Sequence, residues 1–300
     1  MKYLTSSEIS KIWGISERSV RNYCTKGRVL GAIHDGRFWM IPENAIKPQR
    51  EMRHVVKKEK LLDVLRREKE SKMPGGIYHR LQIDMTYNSN HIEGSTLTHE
   101  QTKYIFELEN LTIGDEMLNV NLNDIIETAN HFRCIDLVID SANYKLNESF
   151  IKQLHALLKN GTNDSRKPWF KIGDYKLLDN EVGGMETTSA KEVPAAMKSL
   201  LNEYNKKKEV TLEDIIVFHV KFERIHPFQD GNGRVGRLII LKECLKNNIV
   251  PPLIKDEYKQ FYYRGLREYS KEKGFLIDTF LSSQDEMKEC LDKFDILYLN

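Results

Sequence analysis

Residues 226–237, His226-Pro227-Phe228-Gln229-Asp230-Gly231-Asn232-Gly233-Arg234-Val235-Gly236-Arg237, constrain this chain more than any other stretch. Before them, Leu212, Ile215, Ile216, His219, Phe222 and Ile225 recur at helical spacing. Thr211 stands as the N-cap, with Asp214 three residues on, close to a capping box. Pro227 biases His226 out of helical geometry and ends that helix near Ile225. A second helix begins at Asn232 or Gly233 and carries Leu238, Ile239, Leu241 and Leu245 on one face. The chain must therefore fold two helices around a glycine-rich turn, with Phe228 as the plug that seats the turn in the core.

The turn collects chemistry. Free N–H groups and the positive end of the helix dipole favour an anion at the start of the second helix. Gly231 and Gly233 allow positive φ or close backbone approach. Arg234 and Arg237, three apart, project from one helical face and suit adjacent phosphates. Asp230 is a hard oxygen ligand suited to Mg²⁺. His226, with an ordinary pKa of about 6.5, can take a proton from a hydroxyl. A helix corner with surface arginines would explain any one of these residues, but not the set.

The run resembles the Fic-domain signature, H-P-F-x-[DE]-G-N-G-R-x-x-R, at every fixed position. That resemblance implies transfer of AMP from ATP to a Ser, Thr or Tyr hydroxyl of a target protein, or of the chain itself. It assigns His226 as general base and Asp230 as the Mg²⁺ ligand. Gly231, Asn232, Gly233, Arg234, Val235, Gly236 and Arg237 are the expected nucleotide cradle. The related Doc kinases usually carry lysine at the position of Gly233, so the glycine points to the nucleotidyl-transfer branch. Removal of AMP, or phosphoryl transfer, on the same fold are the alternatives.

Two further segments gain meaning from that likeness. Ser89-Asn90-His91-Ile92-Glu93-Gly94 is similar to the family's inhibitory pattern S/T-x-x-x-E-G/N, in which the glutamate pairs with the second motif arginine. The implied pair is Glu93 with Arg237, with Ser89 opening the pattern. Gly173-Asp174-Tyr175-Lys176 resembles the family's G-x-Y-R segment, with lysine in place of arginine. Residues 177–193 would then form a β-hairpin flap that clamps the target by strand addition, with residues 180–183, including Val182 and Gly183, near the nucleotide. Asn180-Glu181 replaces the more usual apolar pair. Tyr262-Tyr263 with Leu266 matches a Y-Y-x-x-L run and offers Tyr262 to the base or ribose. Ser270 stands where the family often has asparagine.

Charge separates the start of the chain from the rest. The whole chain carries +2, yet residues 1–60 hold 13 Lys/Arg against 6 Asp/Glu. Nucleic-acid contact is therefore to be sought there. Ser6 or Ser7 would cap a helix bearing Ile9, Ile12 and Trp13. Gly14-Ile15 makes a turn, and Ser16 caps a second helix over 17–25 with Val20 and Tyr23 inward. Asp35-Gly36 separates two short β-like runs between Val29 and Pro42, a hairpin signal. Helix, turn, helix, hairpin resembles the excisionase- and MerR-type winged helix-turn-helix. Arg18, Arg21 and Asn22 would face bases and Arg37 would lie on the wing. A basic protein-interaction module is the bland alternative.

The expected organisation is a winged helix over residues 1–48, a linker over 49–60 and a mainly α-helical Fic domain over 61–300. The resemblance itself spans about 61–281. Residues up to Arg67 read as linker and then surface helix, broken at Met73-Pro74-Gly75-Gly76. Helices are expected over 77–89, 98–107, 124–139 and 147–158, and closing helices over 275–280 and 287–299. His131 and His155, among apolar neighbours, read as packing histidines. Cys24, Cys134, Cys244 and Cys290 lack any C-x-x-C spacing and read as reduced thiols of a cytoplasmic protein. No apolar run approaches the 18 or so residues of a membrane span, and the N-terminus lacks the apolar core of a signal peptide. A DNA-binding regulator with an ATP-sensing second domain is the main rival reading, and a homodimer would suit both modules.

Overall fold

The computed structural model describes residues 2–35, 38–48, 59–108, 120–183, 185–296 and 298. It divides into two compact units, Met1–Lys57 and Lys58–Asn300. Arg37, the Gly36 of the expected hairpin turn and most of the 49–60 linker lie outside the described residues.

In the smaller unit, β1 (Tyr3–Thr5) leads straight into α1 (Ser6–Trp13), then α2 (Glu17–Thr25), β2 (Ile33–His34) and β3 (Trp39–Pro42). The cap of α1 is Thr5, not Ser6 or Ser7. Its hydroxyl accepts from the Glu8 N–H, and the Glu8 carboxylate answers the Thr5 N–H, a full capping box. Ser16 caps α2 through the Ser19 N–H. The sheet runs β1-β3-β2, both pairs antiparallel. Sequence periodicity did not anticipate β1, which covers β3 with Tyr3 opposite Pro42. The core is Ile9, Trp13, Val20, Cys24, Val29 and Ile41. Ile12, on the same helix, is 61% exposed, because so small a core covers only the Ile9–Trp13 stripe of α1.

The larger unit is helical. α3 (Leu61–Ser71) and α4 (Ile77–Ile92) flank the predicted break, where Lys72 turns left-handed. α3 is not the surface helix expected: Leu61, Leu62, Val64 and Leu65 enter the main core. α5 (His99–Leu108), α6 (Leu122–Ser141) and α7 (Glu148–Leu158) follow, with Asn121 and Asn147 capping the last two. Between α7 and α8 (Val193–Tyr204) lie a 3-10 turn at Asp164–Arg166 and the two-residue strands β4 (Glu181–Val182) and β5 (Met185–Glu186), paired antiparallel. α9 (Leu212–Ile225), α10 (Asn232–Lys246), α11 (Lys259–Glu268) and α12 (Gly274–Lys293) complete the order. α12 is one helix where two shorter ones were expected.

α10 is the axis of this unit. It packs on α9, α6, α7, α3 and α4, and its residues from Arg234 to Leu245 are all buried. A helix enclosed on every side needs no polar face. The charges in its middle pair with each other and with neighbouring polar groups instead. Lys242 donates to the Tyr144 carbonyl (2.7 Å) and to Glu243 (2.8 Å), and the Tyr204 hydroxyl donates to Glu243 (3.0 Å). The N-terminal end of this axis carries the motif. Among the described residues, no helix is long and apolar enough to cross a membrane.

Candidate active site

The Thr211–Asp214 capping box starts α9, and His226 ends it in left-handed geometry, at φ 49° and ψ 62°. That reversal throws the chain into the loop 227–231. Phe228 is fully buried and stacks on His155, with ring centroids 4.0 Å apart. Asn232 closes the loop: its amide oxygen accepts from the Phe228 N–H and its amide nitrogen donates to the Phe228 carbonyl, each at 2.8 Å. Gly231, at φ 81°, is the N-cap of α10. A Cβ there would press on Leu158, so α7 forms the floor of the turn.

His226 is mostly enclosed, with 15% of its side chain exposed. Burial first, then the positive charge of Lys176, pushes its pKa down to about 4, so the imidazole is neutral near pH 7. Its Nδ1 has no hydrogen-bond partner and lies 4.0 Å from a Glu223 carboxylate oxygen. Burial, then the Glu93 charge, lifts the Glu223 carboxyl to about 8.

The Asp230 side chain is half exposed. Burial by itself would raise its carboxyl, but Arg234 and Lys159 outweigh that and hold it well below the usual carboxylate range. Both ion pairs fall on Oδ2, from Lys159 at 2.7 Å and Arg234 at 3.4 Å. Asp230 is thus a partly solvated, permanently charged oxygen donor, which fits a hard divalent cation such as Mg²⁺. Glu127, Asp164 and Asp230 also lie close enough together to suggest a metal triad, but the Lys159 ammonium already pairs with all three.

The two arginines do not share a task. Arg234 is drawn to Glu127 and Asp230. Arg237 donates from Nε to the Ser89 hydroxyl (2.9 Å), and from Nη2 to the Ser89 carbonyl (2.8 Å) and Glu93 Oε1 (2.7 Å). The expected Glu93–Arg237 pair is therefore present as geometry. A Cβ on Gly233 would overlap Glu93 Oε1, so this carboxylate sits over the first turn of α10, where an anion is favoured.

Other predicted ligands are placed differently. Val235 is fully buried in the core, with its N–H bonded to the Gly231 carbonyl. Gly236 packs against His219 and Glu223. Both are enclosed in the packing around α10. Tyr262 is 1% exposed and bonds His219 Nε2 through its hydroxyl at 2.6 Å, so it is a core residue. Its neighbour Tyr263 lines a cavity of about 740 Å³ with Val182, Gly183, Glu223, Arg224 and Ser270. Asn180, expected near the flap tip, is an anchor: Lys176 donates to it at 2.6 Å, and it donates to the Phe228 carbonyl at 3.2 Å.

Sequence reasoning missed Glu127 and Lys159, and gave His155 packing alone. His155 Nε2 also meets the Asp230 carbonyl at 3.2 Å, and its Nδ1 accepts from the Gly173 N–H at 2.9 Å. The i, i+4 spacing of His155 in α7 and Lys159 at its C-cap was the available signal.

Residues 145–244 match the Fic/DOC family, which brackets α7 through most of α10 and contains the whole motif loop. A probable protein adenylyltransferase of Aquifex aeolicus is 26% identical over 57% of this chain and 55% of its own length. The protein adenylyltransferase Fic of Drosophila grimshawi is 25% identical over 60% of this chain and 36% of its own length. The chain thus spans about half or less of the curated relatives it matches. A Fic-domain-containing signaling protein from Bacteroides thetaiotaomicron superposes with TM-score 0.59 at 27% identity, covering 78% of this chain and 93% of that one. The larger unit therefore has the Fic fold.

Proposed function

We propose that this chain is a protein adenylyltransferase held in an autoinhibited state. The observation that carries the reading is the placement, on one loop, of a neutral, enclosed His226 beside the N-terminal turn of α10. In the reaction, His226 takes the proton from a Ser, Thr or Tyr hydroxyl of a target protein, or of the chain itself. The freed oxygen forms a bond to the α-phosphorus of ATP, the bond to the β-phosphate bridge breaks, and pyrophosphate leaves. The N–H groups of the Gly231–Gly233 turn receive phosphate oxygens. Asp230 would hold Mg²⁺, which when bound offsets phosphate charge. The cavity beside Tyr263 would take the base and ribose, with Val182 and Gly183 at its rim.

Glu93 supplies the inhibition. Its carboxylate occupies the anion position over Gly233 and engages Arg237, the group that a terminal phosphate would otherwise use. Gly233 leaves no cation at the position where a kinase-type site would carry lysine, which favours attack at the α-phosphate. The test is label transfer from α- and γ-labelled ATP with Mg²⁺, for wild type, Glu93→Gly and Glu93→Gly/His226→Ala. α-Label transfer raised by Glu93→Gly and lost in the double variant is expected. γ-Label transfer alone would make the chain a phosphoryl transferase. No transfer with intact ATP binding would move the assignment to AMP removal or ATP sensing.

A second role is supported by the smaller unit. Arg18, Arg21 and Asn22 are exposed on α2, the second helix of a helix–turn–helix with a following hairpin, and this end of the chain is basic. We read it as a winged helix that binds duplex DNA. Affinity for a duplex that falls steeply with salt, and weakens in Arg18→Ala/Arg21→Ala, is expected. Equal binding by the variant would refute it.

A further inference from the structure

The last turn of α7 grips Asp230 twice. His155 meets its carbonyl at 3.2 Å and Lys159 its carboxylate at 2.7 Å. Lys159 follows the last residue of α7, where a cation also suits the helix dipole. Its side chain is 1% exposed, and the ammonium is surrounded by Glu127 of α6, Asp164 (2.9 Å) and Asp230. Arg234 shares Glu127 and Asp230, and Lys167 takes the other Asp164 oxygen at 2.6 Å. Three carboxylates from separate parts of the chain converge on one buried amine. Without it, they would repel one another or collect a cation.

We infer that Lys159 is a positioning residue: a built-in cation that fills the Glu127–Asp164–Asp230 triad. It fixes Asp230 by Oδ2 and leaves Oδ1 outside these ion pairs. The same ammonium keeps a divalent ion from settling in the triad. The inference rests on the adenylyl-transfer reading for its catalytic consequence, but not for its ion-binding consequence.

The test uses the full chain carrying Glu93→Gly, with and without Lys159→Met. In the absence of nucleotide, Mn²⁺ binding followed by electron paramagnetic resonance should tighten at least roughly tenfold in Lys159→Met, as oxygen ligands are vacated. Lys159→Arg, which keeps the charge, should not show it. AMP transfer should drop about 10–100-fold in kcat, in the range of lost supporting contacts to a metal ligand, with KM for ATP little moved. Gained ion binding together with lost turnover is a signature that simple destabilisation does not produce. Unchanged Mn²⁺ binding in a normally melting Lys159→Met overturns the inference. Should that variant not fold, Lys159→Met/Glu127→Gln removes one carboxylate with the amine and should fold; failure of both would show a purely structural lysine and also overturn it. If Glu93→Gly transfers nothing, the functional reading fails, while the Mn²⁺ result still decides the role of Lys159.

Discussion

Replacing Glu93 by alanine removes one of the three hydrogen bonds that the Arg237 guanidinium makes. The arginine side chain is 5% exposed, so little solvent takes the lost partner's place. A hydrogen bond to a charged group contributes about 1.5–3 kcal/mol. The Glu93 side chain is 27% exposed, and solvent screening brings the expected loss to about 1–2 kcal/mol. For a unit of this size that is a fall of about 2–8 °C in Tm. On the autoinhibited reading the same contact opposes phosphate binding, so its removal should tighten ATP by about 5–30-fold. Thermal unfolding without nucleotide and calorimetric titration with Mg²⁺-ATP measure both numbers. Arg237→Ala and the double variant complete the cycle. Loss of stability in the free protein and gain of affinity must appear together, and the gain must vanish when Arg237 is absent. An affinity gain that persists in the double variant would refute the competition argument, because Glu93 would then act on ATP without the guanidinium.

Two other consequences are direct. Burial and the nearby Glu93 raise the Glu223 carboxyl to about 8. A folded-state value above the unfolded one gives stability that is complete below the ordinary carboxyl range and is lost as pH rises through about 8. Glu223→Gln should therefore flatten the decline of Tm between about pH 5 and 8, and an unchanged slope would contradict the burial argument. Tyr262→Phe should cost about 0.5–1.5 kcal/mol through the lost His219 bond, yet leave ATP affinity nearly unchanged, while Tyr263→Ala weakens it. Equal losses in both titrations would return Tyr262 to the nucleotide.

The parts legible in the sequence were those whose partners are near in the chain. The capping box of α9, the proline stop and the glycine turn involve residues a few positions apart, and local sterics decide them. Glu93 came forward only through a likeness to known proteins, since its partner Arg237 is 144 positions away. Nothing local marks Glu127, and only the i, i+4 spacing from His155 marks Lys159: each is an ordinary charged residue until α6 and α7 meet the motif loop. The tyrosines show a finer limit. Tyr262 and Tyr263 differ by one step around α11, and that rotation decides which one meets His219 and which one lines the cavity. α10 was found where it was expected, but its burial on every side was not legible, because a helix enclosed by five others has no single face to read.

His226 does two jobs that pull against each other. As the residue that ends α9 it holds a left-handed backbone at φ 49°, a conformation that costs a side-chain-bearing residue about 1–3 kcal/mol and glycine almost nothing. It also keeps an imidazole nearly out of solvent with one ring nitrogen unpartnered. For folding alone, histidine is a poor occupant of this position. On the adenylyl-transfer reading, the imidazole is what this strained backbone serves, and a glycine in its place would relax the turn while removing the base.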